Sequence, residues 1–155
     1  MADPKNIPNE NRFRSRSEHI LDAKGRLNIP SRFREVLRIQ YTELLVVTNW
    51  HKCLKAYPKP VWEEIENTLI NQAKTHQGMA AFVRYVISGV TECPLKQGRI
   101  LLPATLRADL GIEKEVMLNG MLDHFEIWSK TDWEIEAKQT RDNFDNFDLS
   151  TLGIL

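Results

Sequence analysis

The sequence predicts an α+β fold assembled from two copies of one unit, and three observations carry that reading. First, DAKGRLNIPSRFREVL at 22–37 aligns without gaps to LKQGRILLPATLRADL at 95–110. Gly25 meets Gly98, Arg26 meets Arg99, Pro30 meets Pro103, Arg34 meets Arg107 and Leu37 meets Leu110, five identities in sixteen positions where average composition gives about one. Leu27 with Ile100, Ile29 with Leu102 and Phe33 with Leu106 keep apolar character. Second, each copy runs from a glycine turn through apolar alternation to a proline followed by helical spacing. Third, the halves align again downstream at a slightly shorter spacing, with Tyr57 opposite Trp128, Lys59 opposite Lys130 and Trp62 opposite Trp133. A repeat this long marks a duplicated domain half and not a solenoid of short units.

Residues 1–11 carry Pro and Asn without periodicity and read as a flexible tail. From Arg12 to Leu21 the chain is strand-like and charged. Ala23-Lys24-Gly25-Arg26 is a turn, because Gly25 takes the positive φ that tight hairpin turns demand. Arg26 to Ile29 is a strand with Leu27 and Ile29 alternating. Pro30 suits the first turn of a helix, and Phe33, Val36 and Leu37 follow at i, i+3, i+4. An apolar strand at 44–48 and a helix at 61–74 complete the first unit, 12–75. A helix over 79–86 and a strand over 86–91 lead onward, so 76–90 is a connection. In the second unit, 91–142, Ile100 and Leu102 alternate, Pro103 opens a helix carrying Leu106 and Leu110, and Gly111 stands where a helix end favours a left-handed residue. A strand at 116–119 and a helix at 131–142 follow. Aromatic residues on these faces read as core. The tail 143–155 mixes acids with Phe144, Phe147, Leu149 and Leu152, and reads as a segment that docks on its own body or on a neighbouring subunit.

Composition narrows the function classes. An apolar share of 42% supports a real core. No apolar run reaches the ~18–20 residues of a membrane span, and the polar N-terminus lacks a signal-peptide stretch. Cys53 and Cys93 show no CxxC spacing, which predicts reduced thiols in a cytoplasmic chain. His19, His51, His76 and His124 form no HExxH pattern, and no Walker or GxGxxG loop is present. His51 and Cys53 are the one suggestive pair, two residues apart on a strand and so on one face; without a third orienting group they predict no catalysis. No catalytic residue, metal, cofactor or small-molecule substrate is expected. Net charge is zero, yet residues 1–60 hold twelve Lys/Arg against six Asp/Glu and residues 61–155 hold nine against fifteen. That split predicts a surface facing a polyanion.

The ordered set LDAKGRLNIPSRFREVL, QGRILLPATLR, EVMLNGM and FEIW closely resembles the bacterial MraZ family over nearly the whole chain from Phe13 to about Trp133. The resemblance implies two SpoVT/AbrB-type swapped-hairpin units joined as a barrel-like pseudo-dimer with added helices. It also implies a DNA-binding transcriptional regulator of a division and cell-wall gene cluster. Its partners would be double-stranded promoter repeats and further copies of itself, in a ring of eight or twelve on the nucleoid. The family signature Asp-x-x-x-Arg is intact as Asp22 to Arg26, whereas Leu95 lies four positions before Arg99. A residue missing just before Lys96 would account for the departure, leaving a shorter second loop with Arg99 less firmly oriented.

Arginine's planar fork fits a phosphate or the O6/N7 edge of guanine, and lysine adds an adaptable charge. Lys24 and Arg26 in the first loop, and Lys96 and Arg99 in the second, are therefore the candidate DNA contacts, with Arg14 and Arg16 as an auxiliary phosphate patch beside Arg12. Arg26 and Arg99 have a structural alternative as salt-bridge residues of a small polar barrel. Asp22 reads as loop-structuring, bonding the turn backbone or orienting Arg26, with Gly25 and Gly98 shaping the turns. Arg34 and Arg107 lie on the short helices, where capping or i,i+4 pairing is expected. A few contacts per chain bind weakly, and assembly can raise avidity by ~10²–10⁴. The rival reading is an AbrB-fold scaffold or antitoxin-like interaction subunit for which DNA is incidental.

Overall fold

The computed structural model describes Pro8 and residues 11–153, so most of the expected N-terminal tail lies outside the described residues. Among these residues eight strands and five helices alternate in two equivalent runs. The first run is β1 (Arg16–Ile20), β2 (Arg26–Asn28), α1 (Ser31–Gln40), β3 (Leu44–Asn49), β4 (Leu54–Pro58) and α2 (Lys59–Ala73). Helix α3 (Ala80–Ser88) connects to β5 (Thr91–Pro94), β6 (Arg99–Leu101), α4 (Ala104–Asp109), β7 (Glu115–Gly120), β8 (Phe125–Ser129) and α5 (Lys130–Asp142). Two 3₁₀ turns, Phe144–Asn146 and Leu149–Leu152, follow.

The halves exchange their first strands. The larger sheet has the order β1-β7-β8-β4-β3-β5, and β2 pairs with β6 in a separate two-stranded ribbon. Thus β1 of the first half lies on β7 of the second, with Glu18 opposite Met117, and β5 lies on β3, with Cys93 opposite Leu45. The β4–β8 pairing, with Ala56 opposite Phe125, joins the two hairpins at the centre. Equivalent ion pairs cross the same seam. Lys59 reaches Glu92 on β5 at 3.1 Å, and its repeat partner Lys130 reaches Glu18 on β1 at 3.6 Å. The recurrence of this lysine therefore has a structural cause. Each one anchors the strand lent by the other half.

Alternation along the strands divides the apolar residues between two faces. One face, with Leu45, Val47, Leu54, Val116, Leu118, Phe125 and Ile127, packs under Leu27 and Ile100 of the ribbon and under Phe33, Leu37 and Leu106 of α1 and α4. Phe13, Phe33 and Phe125 meet there with ring centroids 5.0–5.5 Å apart. The opposite face carries Val46 and Tyr57 beneath Val61 and Trp62 of α2 and Val86 of α3. Tyr57 with Trp62 and Trp128 with Trp133 repeat one contact at 5.6 Å. Trp62 is 2% exposed and Trp133 only half-buried, because α3 covers α2 while α5 presents no buried residue.

Four sequence expectations need correction. Of the strand expected over 86–91, residues 86–88 are instead the end of α3, Gly89 and Val90 link onward, and β5 begins only at Thr91. The β-branched run reads as extended, yet Val86, Ile87 and Val90 pack on one apolar cluster, and the Thr48 hydroxyl donates to the Val86 carbonyl at 2.6 Å. Pro30 and Pro103 stand one residue before their helices, with extended ψ of 143° and 137°, so they direct the chain into the first turn from outside it. His51 and Cys53 lie in a bend, not a strand, with His51 exposed and Cys53 buried, so they do not share a face. Not every aromatic is core, since Phe82 and Tyr85 of α3 are 36% and 45% exposed.

Candidate nucleic-acid interface

The ribbon sets the geometry of the basic tips. Leu27 pairs with Ile100 and both point inward, so Arg26, Asn28, Arg99 and Leu101 stand on the outer face. Because the pairing is antiparallel, with Arg26 opposite Leu101 and Asn28 opposite Arg99, the two arginines lie diagonally across one short patch. Each is preceded by its own loop.

The loops differ by one residue. In the first, the Asp22 N–H donates to the Arg26 carbonyl and the Gly25 N–H to the Asp22 carbonyl, closing three residues with Gly25 at φ 86°. In the second, Lys96 and Arg99 exchange both backbone bonds, at 2.8 and 3.0 Å, around Gln97 and Gly98, whose φ values are 52° and 76°. Two consecutive positive-φ residues make the tight primed hairpin turn. Lys96 therefore occupies the place of Asp22, at the base of the loop, and the missing residue falls after Lys96. The sequence places it before Lys96 because a gapless alignment of the two stretches hides the shift.

Asp22 ties the patch together. Its Oδ1 accepts from the N–H groups of Lys24 and Arg26 at 3.0 and 2.8 Å, and its Oδ2 accepts from Arg26 Nε at 2.5 Å. The same Oδ2 lies 3.7 Å from Arg99 Nη1, and Arg99 also donates to Gln97 Oε1 at 3.4 Å. So one carboxylate of the first loop serves both arginines, and the second loop borrows the acid it lacks. The Arg26 backbone N–H, foremost, with the Arg26 side chain and the Lys24 N–H, holds the Asp22 carboxyl down at about 2 against an ordinary 3.8. A depressed folded-state value means that this loop anchor is fully present above 3.8 and is lost as pH falls through about 2. The Arg26 amide signal in an NMR pH titration should therefore stay flat from neutrality through 3.8 and move near 2; a midpoint at the ordinary value would show Asp22 disengaged.

Lys24 and Lys96 are exposed, and Arg26 and Arg99 half-buried at 40% and 31% side-chain exposure. Arg14 and Arg16 are not brought to this patch. Arg16 begins β1 at the end away from Asp22, roughly 20 Å along the strand direction, and Arg14 lies just before it. There the Arg14 backbone crosses over Gly120, and the Arg16 guanidinium sits 5.4 Å from the Trp133 ring. Arg34 and Arg107 do not cap or pair at i,i+4. Their Nε groups donate five residues back, to Ile29 O at 3.1 Å and Leu102 O at 3.2 Å. Asn28 is a patch residue that the loop motif does not flag, although strict alternation from Arg26 would have found it.

Burial pushes the Cys53 thiol up to about 12 and the Cys93 thiol up to about 11, so both are neutral thiols at physiological pH. Among the described residues no group of three or more His, Cys, Asp or Glu is arranged to hold a metal ion, and no helix is long and apolar enough to cross a membrane.

The model of the MraZ protein family, described as antitoxin-like, matches residues 13–84 and 86–152. This chain belongs to the MraZ family. A relative from Syntrophobacter fumaroxidans is 46% identical over 133 residues, covering 85% of this chain and 89% of that protein. Relatives from Desulforapulum autotrophicum and Moorella thermoacetica are 41% and 40% identical, covering 84% and 86% of this chain and 94% and 92% of theirs. All three bear the name transcriptional regulator MraZ. The two family-model segments divide within α3, so each half is matched in its own right.

Proposed function

We propose that this chain is a DNA-binding transcriptional regulator that docks its β2–β6 face, with Arg26 and Arg99 leading and Lys24 and Lys96 assisting, on repeated promoter elements of a division and cell-wall gene cluster. The observation that carries the reading is the diagonal Arg26–Arg99 patch gathered around Asp22. The regulator name of the relatives supports it from outside the structure. Zero net charge is no obstacle, because Lys24, Arg26, Lys96 and Arg99 gather on one short ribbon and its two loops. Strand exchange between the halves, β1 onto β7 and β5 onto β3, favours two swapped-hairpin units closed into a barrel-like pseudo-dimer.

Two arginines per protomer bind weakly alone, so the working form is a homo-oligomeric ring of eight or twelve, cytoplasmic and associated with the nucleoid. Exposed Ile135 on α5 and exposed Phe144, Phe147 and Leu152 in the tail offer apolar surface for such assembly. The same surface favours a second reading, a protein-interaction scaffold of antitoxin-like character in which DNA is incidental. Salt separates the two. Titrating tandem-repeat promoter duplex at rising salt should give log affinity falling linearly with log salt, by about 0.9 for each phosphate contacted. A flat response would sink the DNA reading and leave the scaffold.

A further inference from the structure

We propose that each basic tip is a composite phosphate grip completed by the other half: Arg107 of α4 binds the same phosphodiester as Lys24 and Arg26, and Arg34 of α1 does the same beside Arg99. The proposal deepens the DNA-binding reading and rests on it for the identity of the polyanion.

The glycines of the two loops are where the arginines meet them. A Cβ built on Gly25 would fall 2.7 Å from Arg107 Cζ and 2.8 Å from its Nε and Nη2. One built on Gly98 would fall 3.4 Å from Arg34 Nη1 and 3.5 Å from its Cδ and Cζ. At Gly25 the positive φ calls for glycine, and the bare Cα lets the Arg107 guanidinium lie directly on the loop. The same relation occurs in both copies, and each time it joins a loop of one half to a helix of the other.

Each guanidinium is also fixed in place. Arg107 Nε donates to the Leu102 carbonyl, whose own N–H donates to the Gly25 carbonyl at 3.0 Å. Arg34 Nε donates to the Ile29 carbonyl, whose N–H donates to the Gly98 carbonyl at 2.9 Å. Loop, strand and arginine form one hydrogen-bonded unit at each tip. With Nε committed, the Nη edge remains, and among the described residues neither arginine is salt-bridged to a carboxylate, unlike Arg26, Arg38 and Arg99. An oriented guanidinium with its Nη edge free of acids suits bidentate capture of a phosphate oxygen pair.

Titration of the isotope-labelled full chain with inorganic tripolyphosphate tests the grip without DNA. The Arg107 Nε–H and Gly25 N–H signals should move with one midpoint, and so should those of Arg34 and Gly98. With tandem-repeat duplex, Arg107→Ala should weaken binding roughly tenfold at an unchanged salt slope, because Lys24 and Arg26 still neutralise the shared phosphate. Combined with Lys24→Ala it should lose less than the two losses added, since both hold one phosphate. Arg107→Lys should keep the slope and recover part of the affinity, and a Lys138→Ala control on α5 should change neither. An Arg107 Nε–H signal unmoved by tripolyphosphate, or losses from Arg107→Ala and Lys24→Ala that add in full, would overturn the proposal and make Arg107 a strut only. If tripolyphosphate moves both signals while no duplex binds, the grip stands and the DNA reading fails.

Discussion

Arg26→Ala is expected to abolish measurable binding to tandem-repeat promoter DNA while leaving the folded assembly intact. The substitution removes a charge-assisted donor from the outer face of the ribbon, and it does more than that. Asp22 Oδ2, 2.5 Å from Arg26 Nε, loses its nearest cation and keeps only Arg99 at 3.7 Å. The backbone N–H groups of residues 26 and 24 still donate to it, so it stays ionised and faces the phosphates as an uncompensated anion. One tip therefore changes from attraction to partial repulsion. Repeated over the tips of an assembly, the loss compounds, as avidity of ~10²–10⁴ depends on every tip engaging. Stability should change little, because an ion pair open to solvent contributes little to folding. Gel shift and light scattering on one preparation decide the matter. An Arg26→Ala protein of unchanged mass that shifts the duplex normally would remove the loop from the interface. Arg99→Ala should follow the same direction with a smaller effect, since its contact to Asp22 is longer and Arg26 remains.

Phe125→Ala should be among the most destabilising single changes, costing about 3–5 kcal/mol. Phe125 is fully buried, and its ring packs against Phe13 and Phe33 at 5.5 and 5.0 Å. Those three rings come from the segment before β1, from α1 and from β8, so the cavity would open where the halves join. Neighbouring Leu54, Ala56 and Ile127 are held in strand register and cannot collapse into it. Thermal unfolding should shift down by on the order of 10 °C, and a shift of only a degree or two would place the main core elsewhere. Binding measured well below the transition should be nearly unchanged. Arg26→Ala and Phe125→Ala therefore separate interface from core.

Much of the fold is legible in the sequence because it is local. Gly25 and Gly98 mark the turns, Leu27 and Ile100 mark the inner face of the ribbon, and Trp62 and Trp133 lie in the first turns of their helices. Errors arise where a short pattern has two readings. The run at 86–91 has β-branched residues in a helix because its apolar side meets α2 and β3. The second loop is misregistered because a single deletion inside a turn leaves the glycine and arginine aligned. The candidate site is legible only in part. Lys24, Arg26 and Arg99 follow from turn chemistry, whereas Asn28 needs the ribbon's face and Arg107 needs the fold.

By itself the sequence determined that there are two copies, where each turns, which residues alternate inward, and which family the chain belongs to. Tertiary structure decided which half each residue serves. Asp22 reaches Arg99, Lys130 reaches Glu18, Arg107 lies on Gly25, and β1 leaves its own half for β7. A duplicated sequence offers every strand two nearly identical partners, one within its half and one across. Local propensity and hydrophobic pattern are the same for both, so only chain connectivity and packing of the whole molecule choose between them.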